Sequence, residues 1–158
     1  MFHQQNGGAR IALRGFLGAG LMALAALPLR ADAGCAGQLV MGCTIGKKEL
    51  SLCLTSAGLT YQFGPAGRPE ISLTRPLAVL DYQPWPGVGF DIWEQVSFSN
   101  DRVRYEVWSS APRDAAGVAS GGVNVVEGER VLAALTCVGE PQGLGLPAIG
   151  DALAEHGG

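Results

Sequence analysis

Histidine is nearly absent from this chain of 158 residues, which has only His3 and His156, each close to one end. A Ser-His-Asp or Cys-His arrangement needs a histidine base that is held in place, and a residue so near a chain end is rarely held in that way. We therefore predict that the protein has no catalytic residues and is not an enzyme.

The sequence also lacks the patterns that hold metals, phosphates and nucleic acids. Its cysteines are too widely spaced for a zinc site, and its glycine-rich segments 64–67 and 117–122 do not connect a strand to a helix, as a phosphate-binding loop does. Lys47-Lys48 is the longest basic run after the first 33 residues, which is far short of a nucleic-acid footprint. We expect no metal, no cofactor and no nucleic-acid partner.

An uncharged apolar run is present at residues 15–29, but it is shorter than the ~20 residues that a membrane-spanning helix needs. Arg10 and Arg14 precede it, and Ala31-Asp32-Ala33 follows it with small residues at the two positions that a signal peptidase recognises. This order is typical of a secretory signal peptide. We predict that residues 1–33 are the signal peptide and that cleavage after Ala33 leaves no membrane span.

This first segment has two alternative interpretations. One is an uncleaved membrane anchor, which the short apolar run disfavours. The other is a lipoprotein signal, because Ala33-Gly34-Cys35 resembles the end of one and Cys35 would then carry lipid. Asp32 occupies a position where such signals prefer an aliphatic residue, so ordinary export is the favoured interpretation.

Residues 34–158 have the usual size of one domain and are predicted to form a single β domain. Loss of the first 33 residues lowers the basic residues from 11 to 8 and the acidic residues from 14 to 13, a formal charge of about −5. Such a charge is ordinary for a soluble domain. We expect this domain to be periplasmic or secreted.

Alternating apolar residues predict about eight short strands, at 39–45, 50–54, 59–63, 70–73, 92–98, 103–107, 123–125 and 131–135. Strands this short and close leave little room for crossover helices, so we predict an all-β fold, either an antiparallel barrel or a sandwich. A short C-terminal helix over 147–156 would turn Ile149, Ala152 and Leu153 inward, and Gly157-Gly158 would end it.

Two connections between these strands are predicted in detail. Gly46–Glu49 forms a four-residue hairpin loop that pairs Ile45 with Leu50. Residues 110–122, which are rich in glycine, alanine and serine, form a longer loop.

All four cysteines lie in the predicted mature part, and an exported chain meets an oxidising compartment, so we expect two disulfides. Strand alternation turns Cys43 and Cys137 inward and Cys53 outward. This favours Cys43 with Cys137 and Cys35 with Cys53. Cys43 with Cys53, across the first hairpin, remains the alternative.

Four large aromatic residues lie within residues 82–93, a segment that two prolines make rigid. Rigid aromatic side chains lose little entropy on binding, so they suit a protein partner or a glycan. We predict a binding surface that consists of Tyr82, Trp85, Phe90, Trp93 and Trp108. The alternative is that Trp85 and Trp93 fold back and plug one end of the barrel.

A pair of carboxylates is the catalytic alternative. Asp91 and Glu94 flank Trp93, and a glycan hydrolase needs two acids at a fixed separation across a cleft. Acids three residues apart near a turn are more often solvated.

Two groups of exported proteins resemble this chain. Tyr61-Gln62-Phe63-Gly64 and Gly67-Arg68-Pro69-Glu70, together with Lys47-Lys48 and the late Cys137, resemble an uncharacterised family of small exported β proteins of Gram-negative bacteria. This resemblance covers most of residues 40–156 and implies an exported β domain without any catalytic residue. A fainter resemblance to periplasmic lysozyme inhibitors lies in size, compartment and acidity.

These observations lead to one prediction of function and two alternatives. We predict an exported, non-enzymatic protein of the cell envelope that acts as a binding or structural module, with an envelope protein or a glycan as its partner. The first alternative is a periplasmic inhibitor of a cationic glycan-cleaving enzyme. The second is a small carboxylate-dependent glycan hydrolase that uses Asp91 and Glu94.

Overall fold

The computed structural model describes residues 34–114 and 117–156. The predicted signal peptide, residues 1–33, lies outside the described residues, and so do Gly157 and Gly158. The described part is mostly β-strand and ends in one short helix. Its elements are β1 Gln38–Ile45, β2 Lys48–Thr55, β3 Gly58–Gly64, β4 Ile71–Arg75, β5 Asp81–Gln83, β6 Asp91–Asn100, β7 Val103–Pro112, β8 Ser120–Glu127, β9 Arg130–Thr136, β10 Val138–Gln142 and α1 Pro147–His156.

The strands form two antiparallel five-stranded sheets. The first sheet has the order β10-β1-β2-β3-β4 and the second the order β5-β6-β7-β8-β9. The sheets are arranged as a sandwich and not as a closed barrel. The prediction of an all-β fold with a short C-terminal helix is therefore confirmed.

The described residues form ten strands where the sequence predicted about eight. The two additional strands are β5, with the sequence Asp-Tyr-Gln, and β10, with the sequence Val-Gly-Glu-Pro-Gln. Both are short strands at a sheet edge, and neither has the alternating apolar pattern that a half-buried strand shows. They form because a neighbouring strand offers backbone hydrogen bonds, which composition does not reveal.

The predicted four-residue hairpin loop between β1 and β2 is wrong in length. Ile45 lies opposite Lys48, so the turn contains only Gly46 and Lys47, and Leu50 pairs with Cys43 instead of Ile45. Gly46 has a φ of 63°, which tight two-residue hairpin turns require and glycine tolerates. Because the error is two residues, the face on which each side chain lies is unchanged.

The predicted loop 110–122 is also shorter than expected, because β7 continues to Pro112 and β8 begins at Ser120. One of the glycines that suggested a loop, Gly121, marks a close contact between the sheets. A Cβ atom on Gly121 would lie 2.5 Å from Cε of Met41 in the first sheet. A larger side chain at this position would push the two sheets apart.

The core lies between the two sheets and is closed by α1. The ring of Tyr61 in the first sheet packs against Phe98 and Tyr105 of the second, with centroid distances of 5.5 and 5.2 Å. Burial raises the pKa of the Tyr61 hydroxyl above its ordinary value, so the ring remains neutral in the core. The buried cluster consists of Val40, Met41, Leu50, Leu52, Leu59, Tyr61, Val96, Phe98, Tyr105, Val107, Val123, Leu146 and Ile149.

Helix α1 covers the predicted residues and presents the predicted face to the core. Ile149 is fully buried, and Leu153 packs against the core cluster, while Ala152 is half-buried. Gly150 faces the ring of Tyr82, where a Cβ atom would lie 2.6 Å from Cε1. No helix in the described part of the chain is long and apolar enough to cross a membrane.

The structure contains both expected disulfides. Cys43 pairs with Cys137 and Cys35 pairs with Cys53, with Cα–Cα distances of 5.6 and 5.7 Å. This is the pairing that the strand faces favoured. Two disulfides are consistent with folding in an oxidising compartment. The Cys35 sulfur is engaged in a disulfide, so it is not available to carry lipid.

The second sheet has two ends of different construction. At the hairpin end, which consists of the turns at 101–102 and 128–129, Arg75 of β4 links the two sheets. Its Nε donates to the Ser99 carbonyl at 3.0 Å and its Nη2 donates to Asn100 Oδ1 at 2.6 Å. The open end is where β6 begins, β7 ends and β8 begins.

Candidate functional site

The open end carries two neighbouring features. One is the aromatic loop, residues 84–90, which connects β5 to β6. The other is a cavity of about 220 Å³, here called the end cavity, which lies between the two sheets. Ile92, at the start of β6, lines the end cavity and follows the aromatic loop by two residues. The start of β6 therefore positions both the aromatic loop and one wall of the end cavity.

The aromatic loop is fixed by contacts of Trp85 and Arg113. The Trp85 indole Nε1–H donates to the Val88 carbonyl at 2.8 Å. The Arg113 guanidinium lies over the Trp85 ring, 5.2 Å from its centroid, and its Nη1 donates to the Gly89 carbonyl at 3.3 Å. The Arg113 backbone N–H donates to the Phe90 carbonyl at 3.1 Å. A stacked cation and three hydrogen bonds therefore hold the loop in one conformation.

At the tip of this fixed loop, apolar side chains face solvent. Phe90 is 95 % exposed and Val88 is 68 % exposed. Leaving an apolar side chain of this size in water, instead of burying it, costs about 1.5 to 3 kcal/mol. An exposed phenylalanine on an ordered loop is a typical anchor for a binding partner.

The five aromatic residues predicted as one binding surface lie in three places. Trp85 and Phe90 belong to the aromatic loop. Trp93 and Trp108 are half-buried on the outer face of the second sheet, where Trp93 lies opposite Ser110 and Trp108 opposite Gln95. Whether the loop residues and the two tryptophans of the sheet act as one binding surface stays a prediction.

Tyr82 occupies the third place, inside the sandwich. It pairs with Val96, which is fully buried, and it packs against the core cluster. Among the described residues, neither Trp85 nor Trp93 belongs to that cluster. Neither tryptophan therefore takes the place in the core that the plug alternative assigns to it, and the aromatic side chain that turns inward here is Tyr82.

The end cavity is formed by both sheets and by the chain between β10 and α1. Ile92, Ser109 and Ala111 line it from the second sheet, and Met41 and Leu146 line it from the opposite side. Glu94 is the one charged side chain among the described residues that line it. The lining is therefore mostly apolar, with a single carboxylate and a few hydroxyl groups.

Burial raises the pKa of Glu94 above its ordinary value, and the neighbouring Tyr82 hydroxyl partly offsets this by favouring the charged carboxylate. Burial also raises the pKa of Tyr82 to about 12, with the charges of Glu94 and Asp151 adding to the effect. Tyr82 therefore remains protonated at neutral pH and can donate a hydrogen bond to Glu94. Ser109 lies directly opposite Glu94 on β7.

The structure does not bring Asp91 and Glu94 together. They are three residues apart in β6, and successive side chains of a strand alternate between faces. Asp91 is exposed, whereas Glu94 lines the end cavity. Two acids that act on one glycosidic bond must face the same cleft, so this pair lacks the arrangement that a carboxylate-dependent glycan hydrolase requires.

Sequence reasoning missed Arg113, and it singled out Glu94 only as a partner of Asp91 and not as a residue of a cavity. Arg113 lies in a segment of small residues, where nothing indicates that it reaches the aromatic loop. Glu94 did leave a signal, because it occupies the inward phase of β6 together with Ile92, Val96 and Phe98. A charged residue within that apolar series indicates either strain or a site.

Comparison with known protein families, with curated proteins and with solved structures found no match. Two of the segments that carry the resemblance to small exported Gram-negative proteins, Tyr61–Gly64 and Gly67–Glu70, form the end of β3 and part of the turn that follows it. None of these residues lines the end cavity or belongs to the aromatic loop. Membership of that family therefore stays a prediction, and any function has to be inferred from the geometry of the open end.

Proposed function

We propose that this chain is an exported, non-enzymatic binding module of the bacterial cell envelope and that the aromatic loop is its recognition surface. In this proposal residues 1–33 are the signal peptide, and the mature protein acts in the periplasm or outside the cell. Both disulfides support an oxidising location. The observation that carries the proposal is Phe90, which is 95 % exposed on a loop that is already ordered.

Order in the free protein is what makes the loop suitable for binding. A flexible loop loses conformational entropy when a partner immobilises it, and this loss weakens the complex. Here Trp85 and Arg113 impose the order before any partner arrives. Burial of Phe90 in a partner would then contribute nearly its full transfer free energy.

We propose a protein as the partner. Arg113 covers one face of the Trp85 ring, which leaves a single face at most for stacking against a sugar ring. Phe90 projects from the tip and would enter a pocket, as aromatic anchors do in protein interfaces. A glycan remains an outcome that the experiment below distinguishes.

Acidic residues beside Phe90 favour the inhibitor function as a second candidate. Asp91 and Asp114 are both exposed and lie next to Phe90 and Arg113 in sequence. The predicted mature domain also has a negative formal charge. A cationic glycan-cleaving enzyme would complement both features, and such a complex would weaken as salt screens the charges.

The test is affinity capture from an envelope extract with the oxidised mature protein as bait. We expect one stoichiometric protein to be retained by the wild type and lost with Phe90→Ala. Val131→Ala is the matched control, because Val131 is 60 % exposed and lies on β9. Once the partner is identified, Phe90→Ala should raise the Kd by roughly 30-fold, the effect of a typical interface anchor.

The same experiment can contradict the proposal. Equal retention of the partner by wild type and Phe90→Ala would show that the aromatic loop is not the recognition surface. Retention of peptidoglycan fragments without any protein would establish the glycan instead. Loss of the captured protein in high salt and with Asp91→Asn would support the inhibitor function, and salt-independent capture would argue against it.

A further inference from the structure

The end cavity is a second candidate site, separate from the aromatic loop. Its volume of about 220 Å³ exceeds the roughly 150 Å³ of an apolar cavity that accommodates benzene. It therefore has room for a small organic molecule, or for one arm of a larger one. Phe90 is not among its lining residues, so occupation of the cavity does not depend on the aromatic loop.

Glu94 gives this cavity a chemical preference. Its carboxylate is half-buried, and none of the ion pairs among the described residues includes it. Glu106, on the outer face of the same sheet, has Arg104 as its partner at 3.2 Å. A carboxylate withdrawn from water without a cation is unfavourable, so a positive charge placed beside Glu94 would be stabilised.

The immediate surroundings of Glu94 reinforce that preference. Tyr82 and Ser109 contribute hydroxyl groups, which can orient the carboxylate but do not neutralise it. Asp151 of α1 adds a further negative charge on the Tyr82 side. No lysine or arginine is found among the described residues that line the cavity. The local potential is therefore negative at one wall of an otherwise apolar space.

We propose that the end cavity binds a small organic cation with an apolar body, with the Glu94 carboxylate as its counter-ion. The ammonium group would lie against Glu94 and Ser109, and the apolar body would extend between Met41, Ile92 and Leu146. An anion of the same shape would be repelled by Glu94. A neutral molecule would bind through its apolar body alone and therefore more weakly.

The experiment is a titration of the oxidised protein, expressed as the full chain and purified after export, with n-hexylammonium, n-hexanol and n-hexanoate. Binding is followed by the NMR signals of Ile92 and Ala111 and by calorimetry. We expect saturable binding of the ammonium, at least tenfold weaker binding of the alcohol, and none of the carboxylate. Glu94→Gln should weaken ammonium binding at least tenfold and leave the affinity for hexanol unchanged.

Two further variants keep the test decisive. Glu106→Gln makes the same chemical change on the outer face and should leave binding unchanged. Ala111→Leu fills the cavity and should abolish binding of both ammonium and alcohol. The proposal is overturned if hexylammonium does not saturate, if hexanoate binds as tightly, or if Glu94→Gln and Glu106→Gln weaken binding equally. Because Phe90 takes no part in this titration, its outcome is independent of the partner capture described above.

Discussion

The two ends of the second sheet are built from the same strands, yet they satisfy their polar groups in opposite ways. At the hairpin end, Arg75 donates hydrogen bonds to Ser99, Asn100 and Thr74 and leaves little unpaired. At the open end, Glu94 has no ion-pair partner among the described residues, and Phe90 is almost fully in water. The hairpin end therefore stabilises the fold, and the open end carries the exposed and unpaired groups on which both proposed binding sites rest.

This difference has a physical cause in the connections. Tight two-residue turns close the hairpin end, so little backbone remains to be covered there. The open end receives three longer segments: the aromatic loop, the loop at 113–119 and the chain from β10 to α1. Longer segments leave gaps between the sheets, and functional sites are typically found on such segments above a rigid scaffold.

The largest test of this comparison removes the disulfide that holds the open end together. Cys43 and Cys137 are 94 residues apart, whereas Cys35 and Cys53 are 18 apart. In the chain-entropy model the longer loop stabilises by about 4.5 kcal/mol and the shorter one by about 3 kcal/mol. We expect Cys43→Ala with Cys137→Ala to lower the free energy of unfolding more than Cys35→Ala with Cys53→Ala does.

Urea unfolding of the two double variants measures this difference. The backbone N–H of Cys137 donates to the Gly121 carbonyl, so loss of this disulfide should also increase exchange of the amide at position 137. If the shorter disulfide is the more stabilising one, the open end does not depend on its cross-link. The contrast between the two ends would then need another explanation.

A smaller effect is expected from the hairpin end. Arg75→Ala removes the hydrogen bonds to the Ser99 carbonyl and to Asn100 Oδ1. A hydrogen bond that involves a charged group contributes roughly 1.5 to 3 kcal/mol at most. Because Arg75 is only half-buried, we expect a total loss of about 1 to 2 kcal/mol.

Urea unfolding again measures this loss of stability. The control is Arg68→Ala, which changes an exposed arginine in the turn before β4. An Arg75→Ala protein as stable as Arg68→Ala would show that the hairpin end is not held by this residue.

How far the sequence predicted this molecule depends on the kind of signal each part leaves. Apolar alternation revealed the eight strands that bury a face, and it placed Cys43 and Cys137 on the same side. It missed β5 and β10, because both form at a sheet edge and bury little. It also misjudged segment 110–122, because a glycine that allows two sheets to approach, as Gly121 does, cannot be distinguished by composition from a glycine in a loop.

The candidate site was predictable only in part. Proline and aromatic residues pointed to the loop that contains Trp85 and Phe90, and strand alternation places Trp93 and Trp108 on the outer face of the second sheet. Tyr82 turns inward because β5 pairs with β6, and that strand was not recognised. The end cavity could not be predicted, since it depends on how β1, β6 and the chain before α1 meet in space.

The smallest expected effect concerns the pH dependence of the open end. Burial raises the pKa of Glu94 in the folded protein above the ordinary value of about 4.3 that applies to the unfolded chain. Within the range between these two values, the folded state binds more protons, so stability falls as pH rises. Tyr82 does not contribute in this range, because its pKa is about 12. Glu94→Gln cannot lose a proton and should lack this component of the pH dependence.

We therefore expect the variant to gain stability relative to the wild type as pH rises from about 4 to 7. The change should be smaller than the effect of Arg75→Ala, since Glu94 is only half-buried. Urea unfolding of both proteins at several pH values measures it, and an NMR titration of the Glu94 carboxyl group locates the midpoint. A stability difference that is independent of pH would mean that Glu94 is as well solvated as a surface carboxylate. Burial would then not destabilise the Glu94 carboxylate, and a cationic ligand would not be favoured by neutralising it.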